Sequence, residues 1–123
     1  MPFAPDPRPF TESGLQAACH VWFHNTHPAL RGLGFMIHND GYKNQIQSAQ
    51  DTARGVVRGI PDWCLAVPRG GYHGLYVELK VNGNKPSPVQ LKRHEQLRAQ
   101  GYRVEVRLAL EPFQQLITEY LAS

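Results

Sequence analysis

Gly59-Ile60-Pro61-Asp62-Trp63-Cys64-Leu65-Ala66-Val67, then Pro68-Arg69-Gly70-Gly71, then Leu75-Tyr76-Val77-Glu78-Leu79-Lys80: this stretch organises the rest of the 123-residue chain. Trp63 to Val67 has the run of apolar residues expected of a short buried strand. Pro68 to Gly71 is turn chemistry, and Leu75 to Lys80 reads as a second strand. Alternate residues of a strand share a face. Leu75, Val77 and Leu79 therefore point to a core, and Tyr76, Glu78 and Lys80 point the other way. Asp62, at the mouth of the first strand, can swing in beside Glu78. The reading predicts two carboxylates and a lysine gathered at one sheet edge.

Such a set suits hydrolysis of a phosphodiester with a hard divalent cation. Carboxylate oxygens are the ligands that Mg²⁺ prefers. An ammonium beside them offers charge to the attacking water or the phosphate. Gly59-Ile60-Pro61-Asp62, Tyr76-Val77-Glu78-Leu79-Lys80 and Ser87-Pro88-Val89-Gln90, in this order, resemble the virus-type replication-repair nuclease (VRR-NUC) family of the PD-(D/E)XK superfamily. Either short motif alone recurs by chance; the ordered set is specific. The resemblance runs from about Glu12 to the C-terminus.

It implies an α/β fold, a mixed α+β sheet flanked by helices on a restriction-endonuclease-like core. It also implies a metal-dependent DNA endonuclease. Asp62 and Glu78 would hold Mg²⁺ or Mn²⁺, with the backbone carbonyl of Leu79 as a third ligand. Lys80 would orient the water or stabilise developing charge. Gln90 would position, because an amide does not titrate. Glu12 would point inwards from the first helix and hold a second cation or a cation-bound water; the alternative is a first-turn acid that complements the helix dipole. Gln16, one turn on, would share the cleft. Gln16, Lys85, Lys92 and Arg93 are candidate contacts to DNA, and for the three basic residues the alternative is a solvated side chain.

Composition agrees with this without requiring it. The net charge is +3. With Glu12, Asp62, Glu78 and Lys80 assigned to the site, 12 basic side chains face 7 acidic ones, a balance of +5. A positive surface around a cation site fits a polyanion. Apolar content of 41% is ordinary for a soluble domain. No membrane span or signal peptide is recognisable, so the expectation is a cytoplasmic protein, in the host cell if viral. Cys19 and Cys64 have no metal-type spacing and read as free buried thiols.

In chain order, residues 1–10 form a proline-rich arm and residues 11–123 a single domain. Thr11 caps a helix to about Asn25, with Leu15, Ala18, Cys19, Trp22 and Phe23 on its apolar stripe. His20 and His24 are spaced as a helical zinc pair, but no third ligand accompanies them. Gly34 to His38 reads as a strand, Asn39-Asp40-Gly41 as a turn, and 44–54 as a helix inserted in the core. Gly59 is either a turn glycine or one that lets the backbone approach a phosphate. Ser87 and Pro88 open a helix with Leu91, His94 and Leu97 or Arg98 inward. Residues 103–108 alternate as a half-exposed strand. Phe113, Leu116, Ile117, Tyr120 and Leu121 line a last helix.

The resemblance includes stand-alone viral domains that act as dimers on branched DNA. The expectation is therefore a homodimer on four-way (Holliday) junctions, with the last helix and the arm as candidate contacts. Two other classes stand beside it: a catalytically inactive nucleic-acid-binding module, and an assembly subunit of a larger nuclease.

Overall fold

A computed structural model describes residues 11–38 and 44–123. The proline-rich arm and the Asn39-Asp40-Gly41 turn lie outside the described residues. The elements run α1 (Glu12–Thr26), a 3₁₀ turn (Pro28–Leu30), β1 (Gly34–Met36), α2 (Gln45–Ala53), β2 (Trp63–Leu65), β3 (Leu75–Leu79), α3 (Pro88–Ala99), β4 (Arg103–Arg107) and α4 (Leu110–Ala122). The strands form one mixed sheet in the order β1-β2-β3-β4. The first two pairings are antiparallel, and β3 runs parallel to β4. A parallel neighbour needs a crossover, and α3 supplies it.

The local starts are those the sequence announces. Thr11 accepts a hydrogen bond from Gly14 N at 3.0 Å and caps α1. At α3 the Ser87 hydroxyl accepts from Gln90 N, and Gln90 Oε1 accepts from Ser87 N at 2.8 Å. This is a reciprocal capping box on a helix whose first residue is proline. The strands are shorter than expected, but their hydrogen bonds continue past their ends. Ile37 N donates to Asp62 O at 2.7 Å, Ala66 N to Leu33 O at 2.8 Å, and Lys80 N to Arg107 O at 3.2 Å.

One face of the sheet carries the apolar core. Leu75, Val77 and Leu79 pack with Leu15, Cys19 and Phe23 of α1 and Phe113, Leu116, Ile117 and Tyr120 of α4. Trp63 and Phe113 meet edge to face at 5.2 Å. Tyr120 donates its hydroxyl to Val67 O at 2.6 Å, which satisfies the polar end of a buried ring. The apolar stripe of α4 is therefore spent within the fold, which removes it as a dimer contact. Gly34 lies where an added Cβ would sit 2.5 Å from Phe23 and 2.6 Å from Trp63, so α1 approaches β1 closely only because this residue is glycine. Cys19 and Cys64 are free and buried, and burial pushes the Cys19 thiol up to about 12.

The other face lies under α3, and here two expectations need correction. Leu91 does not face inward; it is 51% exposed, and His94 is the buried residue of α3. Nor does the motif lie at a sheet edge. Strand β3 is interior, between β2 and β4, and Glu78 pairs in register with Val106. The physical reason is the crossover, which returns the chain as β4 on the far side of β3 and sets His94 of α3 against Glu78. No helix among the described residues is long and apolar enough to cross a membrane.

Candidate active site

The end of β3 and the mouth of β2 bring the motif residues together. Asp62 does not swing freely. Its Oδ2 accepts the backbone N–H of Leu79 at 2.8 Å, and its own carbonyl accepts from Ile37 N. The proline before it leaves no N–H that would compete for a place in the sheet. Asp62 is thereby tied to β1 on one side and to β3 on the other.

Glu78 is wholly buried. Its Oε1 lies 3.3 Å from His94 Nε2, and its Oε2 has no hydrogen-bond partner. Burial, then a hydrogen bond shared with the Asp62 carboxyl and the charge of that group, pushes the Glu78 carboxyl up to about 9; Lys80 opposes the shift. Burial also holds His94 below the usual histidine range. Two carboxylates this close, one with an orphaned buried oxygen, repel each other unless a proton or a cation lies between them. The donor set therefore fits a hard divalent cation. Among the described residues no group of three or more His, Cys, Asp or Glu is arranged so that it could hold a metal ion by itself. A cation here would rest on two carboxylates, with backbone oxygen or water completing its shell, as Mg²⁺ accepts.

Lys80 follows Glu78 at the strand end, and its Nζ lies 4.0 Å from Glu12 Oε1. The first-turn glutamate of α1 thus points to the site, where it is paired with the lysine. Gln16 lines a cleft of about 410 Å³ with Ser13, Ala17, His20, Asp62 and Leu79. Trp63 Nε1 donates to His20 Nδ1 at 3.1 Å, so His20 belongs to this cleft and to the core edge. A second cleft of about 430 Å³ lies on the Lys80 side, lined by Arg58, Gly59, Lys80, Ser87, Val89 and Gln90. Gln90 reaches this cleft, with its Oε1 already committed to the helix cap.

The proposed DNA contacts divide. Lys85 and Lys92 are exposed. Arg93 is engaged: its Nε donates to Arg58 O at 2.9 Å and its Nη1 to Gln96 Oε1 at 2.7 Å. It ties α3 to the segment before Pro61. Gly59 has φ +83°, and an added Cβ would meet Val89 O at 2.8 Å. Its glycine is explained by the left-handed turn and by α3, with no ligand needed. Two residues acquire a role that the sequence did not announce. Arg58 lines the Lys80 cleft, and His94, read as inward and found buried, backs Glu78. The signal for His94 was its position one turn after Gln90 on the same helix.

Comparisons with known proteins agree with this fold. The family model for the VRR-NUC domain matches residues 10–109. A relative, "Putative nuclease p44" of Acyrthosiphon pisum secondary endosymbiont phage 1, is 45% identical over 49 residues, 40% of this chain and 50% of that protein. The match thus spans half the length of that curated relative. A solved structure described as a VRR_NUC domain protein superposes with TM-score 0.80 at 26% identity, over 94% of this chain and 91% of that one. Another, described as a VRR_NUC domain, gives 0.55 at 27% identity over 89% and 96%. The mixed sheet with its flanking helices is the PD-(D/E)XK fold, and with the family match spanning Asp62, Glu78, Lys80 and Gln90, this chain belongs to the VRR-NUC nuclease family.

Proposed function

We propose that residues 11–123 form one Mg²⁺- or Mn²⁺-dependent DNA endonuclease domain that acts as a homodimer on branched DNA such as four-way junctions. The observation that carries the metal reading is the orphaned, buried Glu78 Oε2 beside the anchored Asp62 carboxylate. Asp62, Glu78 and the Leu79 carbonyl would hold the cation, which when bound supplies Lewis acidity toward a phosphate oxygen and an acidified water.

The chain's own residues do the rest. Asp62 keeps its geometry through Leu79 N, so its remaining oxygen is preorganised. Lys80 carries an ammonium at the same strand end, where charge grows on the phosphate in the transition state. Glu12 holds that ammonium in place before substrate arrives. Gln90, fixed by the capping box, offers its amide nitrogen to the Lys80 cleft. Lys85 and Lys92 are exposed for phosphate contacts that carry no sequence information. The cytoplasm, of the host cell if the chain is viral, is the proposed place of action.

A two-fold dimer would present two sites in opposed orientation, matching the approximate two-fold symmetry of a four-way junction. The test is cleavage of junction, flap, duplex and single-stranded DNA with Mn²⁺, alongside sedimentation at micromolar protein. Paired nicks in the junction by a dimer are expected. A monomer that cuts linear duplex equally fast removes junction selectivity, and no cleavage of any substrate removes the enzyme.

A further inference from the structure

We propose that His94 is a positioning residue for Glu78, holding one carboxylate oxygen so that the other stays free for the cation shared with Asp62. The inference deepens the metal-dependent reading and rests on it. It starts from the hydrogen bonding of a carboxylate that water does not reach. A buried carboxyl oxygen without a partner is costly, so each oxygen of Glu78 needs an assignment. Oε1 has one, His94 Nε2 at 3.3 Å; Oε2 has no donor in the protein, and the Glu78 carboxyl meets that of Asp62, where a proton stands until a cation replaces it. The two oxygens are thus inequivalent before any ligand arrives.

The histidine is built for this contact. Its side chain is 1% exposed, so no water can take its place. Its helix is held at three points. The Ser87–Gln90 capping box fixes the start, Arg93 donates to Arg58 O, and Arg98 Nη2 donates to Val104 O at 2.8 Å. The last bond attaches α3 to β4, the strand paired with the one that carries Glu78. An imidazole whose proton sits on Nε2 donates to Oε1 and prevents the carboxylate from turning. Partners of this kind, one layer behind a metal ligand, set the ligand's orientation, and their loss typically weakens metal affinity ~10- to 100-fold.

The experiment compares wild type, His94→Leu and His94→Gln by calorimetric Mn²⁺ titration and by cleavage. Leucine fills much of the ring's space without an N–H; glutamine can place an N–H near the position of Nε2. His94→Leu is expected to weaken Mn²⁺ binding by about 10-fold or more, with cleavage falling in parallel, and His94→Gln to recover most of both. His94→Met replaces His94→Leu if the latter does not fold, as judged by circular dichroism. Wild-type Mn²⁺ affinity in the folded apolar variant overturns the proposal. So does a glutamine variant that is folded but no better than leucine, since that result assigns the effect to packing. If wild type itself binds no Mn²⁺, the metal reading of the site fails and takes this inference with it. If wild type and the apolar variant bind equally, only the role of His94 fails.

Discussion

Replacing Glu78 by glutamine in the metal-free protein removes an ionisable group from a position that solvent does not reach. The carboxyl is raised from 4.5 to about 9, first by burial and then by Asp62. Between those values the folded chain keeps a proton that the unfolded chain has released. Stability from this group is therefore fully present below the unfolded value and is lost as pH rises toward the folded one. From about pH 5.5 to about pH 8.5 the loss amounts to roughly 4 kcal/mol, at ~1.4 kcal/mol per pH unit. Glutamine binds no proton in either state, so Glu78→Gln lacks this slope while other titrating groups remain. The assay is urea unfolding of both proteins in EDTA across that range. The variant should gain on wild type steadily as pH rises. Parallel curves would refute the reasoning, because Glu78 would then be ionised in the fold at every pH measured. Mn²⁺ should stabilise wild type most at the alkaline end, where the cation replaces the proton, and should do little for the variant.

Asp62→Ala should abolish cleavage and also cost about 1–3 kcal/mol, because Leu79 N–H loses its acceptor. Asp62→Asn should lose cleavage with most stability retained; urea unfolding beside a nicking assay separates the two. Gln90→Ala should lower stability by ~1 kcal/mol through the lost capping box and slow cleavage more than it weakens DNA binding, read by melting and by kcat against Kd. Gly59→Ala should destabilise by about 1–3 kcal/mol, since its left-handed backbone and the Val89 carbonyl leave no room for a Cβ, and thermal melting checks it.

Much of the site was legible because it is local. Pro61-Asp62 and Glu78-Leu79-Lys80 sit on adjoining strands, and strand alternation alone sets Glu78 opposite to Leu79. The caps at Thr11 and Ser87 are equally local, since each bonds a donor three residues away. The fold class followed from the order of these elements together with the family resemblance. What the sequence left open depends on pairings between distant residues. Whether β3 lies at an edge or inside is decided by which strand the α3 crossover returns beside, and no single segment encodes that. The same crossover buries Glu78, sets His94 against it and leaves Leu91 exposed, although leucine is the more apolar residue. Glu12 could be read as a dipole-complementing acid until the packing of α1 against the sheet placed it 4.0 Å from Lys80. The stripe of α4 reads the same whether a second subunit or the chain's own sheet covers it. Only the tertiary structure, by closing Phe113 to Tyr120 over Leu75, Val77 and Leu79, chose the sheet.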